Sequence, residues 1–124
     1  MTRNLAITLL VTFIAAAIAP SAMADAAAGK DLFVKTNCNS CHGMEGAGDG
    51  PLAAVLNPPP RNVVAGDFKF DAHGDGTPGT DADLLLVIKN GAQAYGGNPM
   101  MAPNPSLSDD QIKLLVEFAR SVKQ

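Results

Sequence analysis

The sequence predicts an all-α fold of about four short helices joined by long Gly/Pro loops. Three observations predict it. Apolar residues recur at helical spacing in separate short segments, and no alternating strand pattern of useful length occurs. Two helix starts carry complete capping boxes, Thr80/Asp83 and Ser108/Gln111. The segments between helices are dense in residues that break them, and the chain holds 12 Gly and 9 Pro in 124 residues.

The elements follow in order. Residues 1–24 read as an export leader: Arg3, an uncharged apolar run from Leu5 to Ala19, Pro20, and the small-x-small site Ala22-Met23-Ala24. Cleavage after Ala24 leaves one domain, residues 25–124. The apolar run is short for a spanning helix and Pro20 fits one poorly, so no membrane span is expected after cleavage. Ala26 to Asn37 reads as the first helix, with Leu32 and Phe33 on its apolar face and Gly29 placed for close approach of another helix.

Cys38-Asn39-Ser40-Cys41-His42 follows at once. Two cysteines three apart, with histidine after the second, form a c-type haem attachment site. One helical turn presents both thiols to the same porphyrin, where each can form a thioether. His42 then brings an imidazole over the ring to bind the iron from one side. A zinc site would need more ligands than the one remaining histidine, His73, supplies, and a thioredoxin-like site needs a βαβ context. These are the chain's only two cysteines. An oxidising compartment would tend to pair them, and covalent haem uses both.

Gly43 to Gly50 is a loop with four glycines. Pro51 can start a short helix through Leu52, Val55 and Leu56, which Asn57-Pro58-Pro59-Pro60 ends. Arg61 to Gly79 is irregular, and its Asp71, Asp75 and neighbouring Asp81 do not fit calcium-loop spacing. His73 lies in this polar stretch as a solvated loop residue. Thr80 to Asn90 is a helix with Leu84, Leu85, Val87 and Ile88 on its buried face, closed by Gly91. Ala92 to Pro105 is a loop carrying Met100 and Met101. The last helix starts after Ser108 and buries Ile112, Leu115, Val116, Ala119 and Val122.

Gly29-x-x-x-Phe33 before the haem motif, Gly46-x-Gly48-Asp49-Gly50 and Pro58-Pro59-Pro60-Arg61 after it resemble the class I c-type cytochromes of bacteria. The methionine loop ahead of Leu107-Ser108-Asp109, and a closing helix with Phe118, extend the resemblance over nearly all of residues 25–124. It implies a cytochrome c-like fold wrapped around one covalently bound haem c. It also implies crossing of the first and last helices near Gly29, Phe33 and Phe118. His42 would be the proximal iron ligand and a methionine the distal one. Met101 is the preferred candidate and Met100 the alternative. The family pattern is Met-Pro, whereas Ala102 separates Met101 from Pro103 here.

Arg61, held by three prolines, and the hydroxyl of Tyr95 are candidate contacts to haem propionates. Without the leader, 8 basic residues face 12 acidic ones, a net charge of −4. That disfavours nucleic acid as a partner and suits redox proteins with basic patches. The expected function is a soluble, monomeric periplasmic carrier of one electron, with no enzymatic activity. The alternatives are an electron-transfer subunit of a periplasmic oxidoreductase complex, or a haem enzyme or gas-binding protein with a labile sixth ligand.

Overall fold

The computed structural model describes residues 21–124. The expected leader therefore falls, up to residue 20, outside the described residues. Four α-helices follow in chain order: α1 (Ser21–Lys35), α2 (Asn39–His42), α3 (Asp81–Asn90) and α4 (Asp109–Val122). Short 3₁₀ turns lie at Ala53–Val55 and Ala92–Tyr95, and the described residues contain no strand.

α1 ends two residues earlier than the sequence pattern suggests, for a local reason. Asn37 adopts the left-handed region at φ 61°, which asparagine tolerates better than most residues. The Cys38 N–H then bonds the Phe33 carbonyl at 3.0 Å and the Asn37 N–H bonds the Val34 carbonyl at 3.0 Å. This paired closure satisfies carbonyls that the helix end would leave bare. It also turns the chain so that Cys38 opens a new helical turn, α2.

α1 and α4 pack closely at Gly29. A Cβ there would collide with the Leu114 carbonyl oxygen and lie 2.9 Å from the Phe118 Cβ. One turn further along α1, the rings of Phe33 and Phe118 meet with centroids 5.0 Å apart, tilted by 54°. With Leu115 they form the buried cluster, and Leu32, Ile88, Leu107 and Val122 pack around it. The crossing implied by the resemblance is thus present.

Both capping boxes form. The Thr80 hydroxyl accepts from the Asp83 N–H, and that of Ser108 from the Gln111 N–H. Asp83 does more than cap. It is 1% exposed, and its carboxylate accepts the N–H of His73 at 2.8 Å, the N–H of Thr80 at 2.8 Å and the Thr80 hydroxyl at 2.7 Å. Burial works to raise its pKa. These bonds, with another from the Ala72 backbone, outweigh burial and hold the carboxyl below the ordinary aspartate range. The 72–80 loop therefore closes around a buried anion.

Arg120 anchors the same segment to α4. Its Nε donates to Asp81 at 2.7 Å, its Nη2 to the Gly79 carbonyl at 2.7 Å, and its guanidinium lies 5.4 Å from the Phe68 ring centroid. Asp81, expected as a solvated charge, is in fact half of this ion pair. Asp71 likewise receives the N–H groups of Gly74, Asp75 and Gly76.

Replacing Asp83 with Asn leaves buried donors underpaired. Stability at neutral pH should drop by about 1–3 kcal/mol in denaturant titrations. The native carboxyl titrates below the unfolded value of about 3.9, so its contribution is present above that pH. The difference between native protein and variant should close as pH falls through the lower folded value.

Candidate cofactor site

The site begins at α2. The His42 N–H bonds the Cys38 carbonyl at 2.9 Å, which fixes the single turn. The glycine-rich loop then folds back over it. The N–H groups of Gly48, Gly50 and Leu52 reach the carbonyls of His42, Cys41 and Ser40 at 2.8, 3.1 and 3.0 Å. Nearly every carbonyl of so short a helix would otherwise go unmet, and the loop supplies the missing donors. Cys38, Cys41 and His42 all line one cavity of about 340 Å³.

The His42 ring is oriented by backbone. Its Nδ1 lies 3.1 Å from the Arg61 carbonyl oxygen. A carbonyl only accepts, so Nδ1 carries the proton and donates, leaving the Nε2 lone pair free. Burial pushes the His42 pKa down and outweighs the opposing pull of the carbonyl. The ring is therefore neutral near neutral pH, the form that binds a metal. Orientation of a ligating imidazole through its other nitrogen is the usual outer-shell support of such ligands.

At Cys38, the Thr36 hydroxyl donates to the Leu32 carbonyl at 2.8 Å and lies 3.3 Å from the Cys38 sulfur. The hydroxyl hydrogen is already committed, so the thiol donates to the hydroxyl oxygen. Burial pushes the Cys38 thiol pKa up.

The methionine loop forms another wall. Gly91 sits at φ 82°, and a Cβ there would lie 2.8 Å from the Met101 carbonyl oxygen and 2.9 Å from the Pro103 nitrogen. Only glycine lets the loop lie this close against the end of α3. The Ala92 N–H bonds the Met101 carbonyl at 3.0 Å, and the Asn104 side chain donates to the Ile88 carbonyl at 2.8 Å. Asn98 donates to the Pro58 carbonyl at 3.1 Å, joining this loop to the proline loop. Met100 and Met101 both line the cavity. Met100 is 68% exposed, whereas Met101 is half-buried.

Arg61 lines the cavity with its guanidinium 5.3 Å from the Phe70 ring centroid. Sequence reasoning picked its side chain and missed the role of its carbonyl, which leaves no trace in residue type. Tyr95 is not among the lining residues, and its hydroxyl accepts from the Asn90 side chain at 2.8 Å. His73 is exposed and lies away from the cavity wall. Asp83, which the sequence pattern marks only as a helix cap, is also a lining residue.

Two thiols and a neutral imidazole on one turn, opening onto a largely apolar cavity with a methionine loop on its wall, fit a covalently held haem. The class these features define is the class I c-type cytochrome. The family model "Cytochrome c" matches residues 26–123, and the chain belongs to the cytochrome c family. It is 30% identical over 95 residues to cytochrome c-551 of Stutzerimonas stutzeri, covering 77% of each chain. Against cytochrome c-551 of Pseudomonas aeruginosa it is 32% identical over 92 residues, covering 74% of each. Among solved structures it resembles a chain of the Kuenenia stuttgartiensis reducing HAO-like protein complex, with a TM-score of 0.62 and 33% identity. That match covers 77% of this chain and 41% of the other, so this chain spans about two fifths of it. The cofactor is haem c, covalently bound, and the protein is an electron carrier by family.

Exchanging both Cys38 and Cys41 for alanine removes the thioether positions. Acidified acetone should then extract all haem from the variant, while the native protein keeps its colour in the precipitate.

Proposed function

We propose that this chain is a periplasmic carrier of single electrons, with its haem iron held between His42 and Met101 after a leader ending at Ala24 is removed. The observation that carries the reading is that Met101, half-buried and clamped through its own carbonyl, lines the same cavity as His42. Cys38 and Cys41 would hold the haem by thioethers, the His42 Nε2 would bind the iron, and the Met101 thioether, a soft ligand, would bind it opposite. The haem supplies the Fe(II)/Fe(III) couple. The greater exposure of Met100 favours its neighbour as the ligand.

With protein ligands on both sides of the iron, no position is open for a substrate, and the reading is non-enzymatic. His73 lies outside the cavity wall and offers no acid–base group within it. No helix among the described residues is long and apolar enough to cross a membrane. Ser21 to Asp25, the start of α1, are all exposed, so a cut after Ala24 removes no buried residue of that helix. The net charge of −4 for residues 25–124 suits redox partners with basic surfaces. The likeness to a chain from a larger complex favours a second reading, a dedicated electron-transfer subunit.

The test is the visible spectrum. The oxidised protein should show the weak far-red band of sulfur-ligated ferric haem. Met101→Ala should abolish it and Met100→Ala should keep it, and the reverse would transfer the role to Met100. Arg61, on the cavity wall beside the proline loop, is the proposed propionate partner. Arg61→Gln should change the pH dependence of the reduction potential, and an unchanged profile would remove that role.

A further inference from the structure

We infer that Asp83 is a potential-setting residue: it lines the haem cavity, and its buried carboxylate is a fixed negative charge that holds the reduction potential down. Three observations carry this. Asp83 is 1% exposed yet lines the same cavity as His42 and Met101. It lies one turn before Val87, the other buried residue of α3, on the face that also brings Leu84 and Ile88 to the cavity. Its hydrogen-bond partners are all neutral: the backbone of Ala72, His73 and Thr80, and the Thr80 hydroxyl.

No cation contacts it: among the described residues, no Lys, Arg or His side chain forms an ion pair with Asp83. Arg120, which reaches this region from α4, directs its guanidinium to Asp81 and the Gly79 carbonyl. His73 contributes its backbone N–H, and its side chain is exposed. The neutral donors keep the group ionised.

Reduction adds one electron, from a donor protein, to ferric iron and gives ferrous iron; no bond forms or breaks. Ferric haem carries one more positive charge than ferrous haem. A buried anion therefore favours the oxidised state, and without solvent contact it is screened less than an exposed carboxylate. Asp71 and Asp75 belong to the same loop but are exposed, so solvent and salt screen them. The geometry thus separates one effective carboxylate from its ineffective neighbours. The inference rests on haem occupying the cavity and not on which methionine binds the iron.

The experiment is a spectroelectrochemical titration of purified holoprotein at neutral pH, comparing native protein with Asp83→Asn, Asp83→Ser and Asp71→Asn. Both neutral variants at 83 should have midpoint potentials above native, with the far-red band unchanged, and Asp71→Asn should match native. Serine provides a second neutral side chain able to accept an N–H if the asparagine variant does not accumulate. A native potential in either folded variant at 83 would overturn the inference. So would an equal rise in Asp71→Asn, or a rise seen only where the far-red band is lost. Failure of the Met101 assignment would appear in Met101→Ala and leave this comparison intact.

Discussion

The structure depends on one constraint: a single helical turn, Cys38 to His42, must be fixed to a cofactor held in an apolar cavity. The buried apolar residues among the described ones are few. Ile112, Leu115, Val116 and Phe118 come from α4, Phe33 from α1, and Val63, Val87 and Ala92 from the remainder. Phe33, Val63, Val87, Ala92, Leu115 and Phe118 also line the cavity. A domain of this size with so lean a core is marginal unless something else supplies apolar contact. A haem in this cavity would be both functional group and core, and thioethers at the cysteines would prevent its loss.

Much of the remaining chain serves to hold the cavity walls. The α1–α4 crossing at Gly29 brings Phe33 and Phe118 together beside α2. The proline and methionine loops, which carry little regular structure, are fixed by backbone and asparagine contacts: Asn98 to Pro58, Asn104 to Ile88, Ala92 to Met101. Arg120 holds the 68–79 segment to α4 through Asp81, Gly79 and the face of Phe68. Exposed ion pairs such as Lys30–Glu45 contribute little by comparison. Order in these loops comes from directional bonds at their ends.

Features that depend on residue type at fixed spacing were legible in the sequence. The haem motif, both capping boxes, the Gly91 stop and the buried face of α4 are of this kind. Features that depend on backbone geometry were not. The left-handed Asn37 that ends α1 has only a weak residue signal, and the Arg61 carbonyl that orients His42 has none. The sequence shows Asp83 as a cap but not its burial, because the donors come from a loop folding back over it. Tyr95 was a reasonable propionate candidate by type, yet its hydroxyl is joined to Asn90. The proposed preference for Met101 over Met100 gains support from exposure, which adjacent identical residues do not reveal.

If the cavity organises the fold, removing covalent attachment should remove cooperative structure. The direct measurement is thermal unfolding by far-ultraviolet circular dichroism, comparing the holoprotein with the haem-free chain bearing alanine at both cysteine positions. The account predicts cooperative loss of helix for the holoprotein. For the haem-free chain it predicts weak helicity with no cooperative transition. A haem-free chain that keeps the full helical signal and melts cooperatively would contradict it, because α1, α3 and α4 would then hold together without the cofactor.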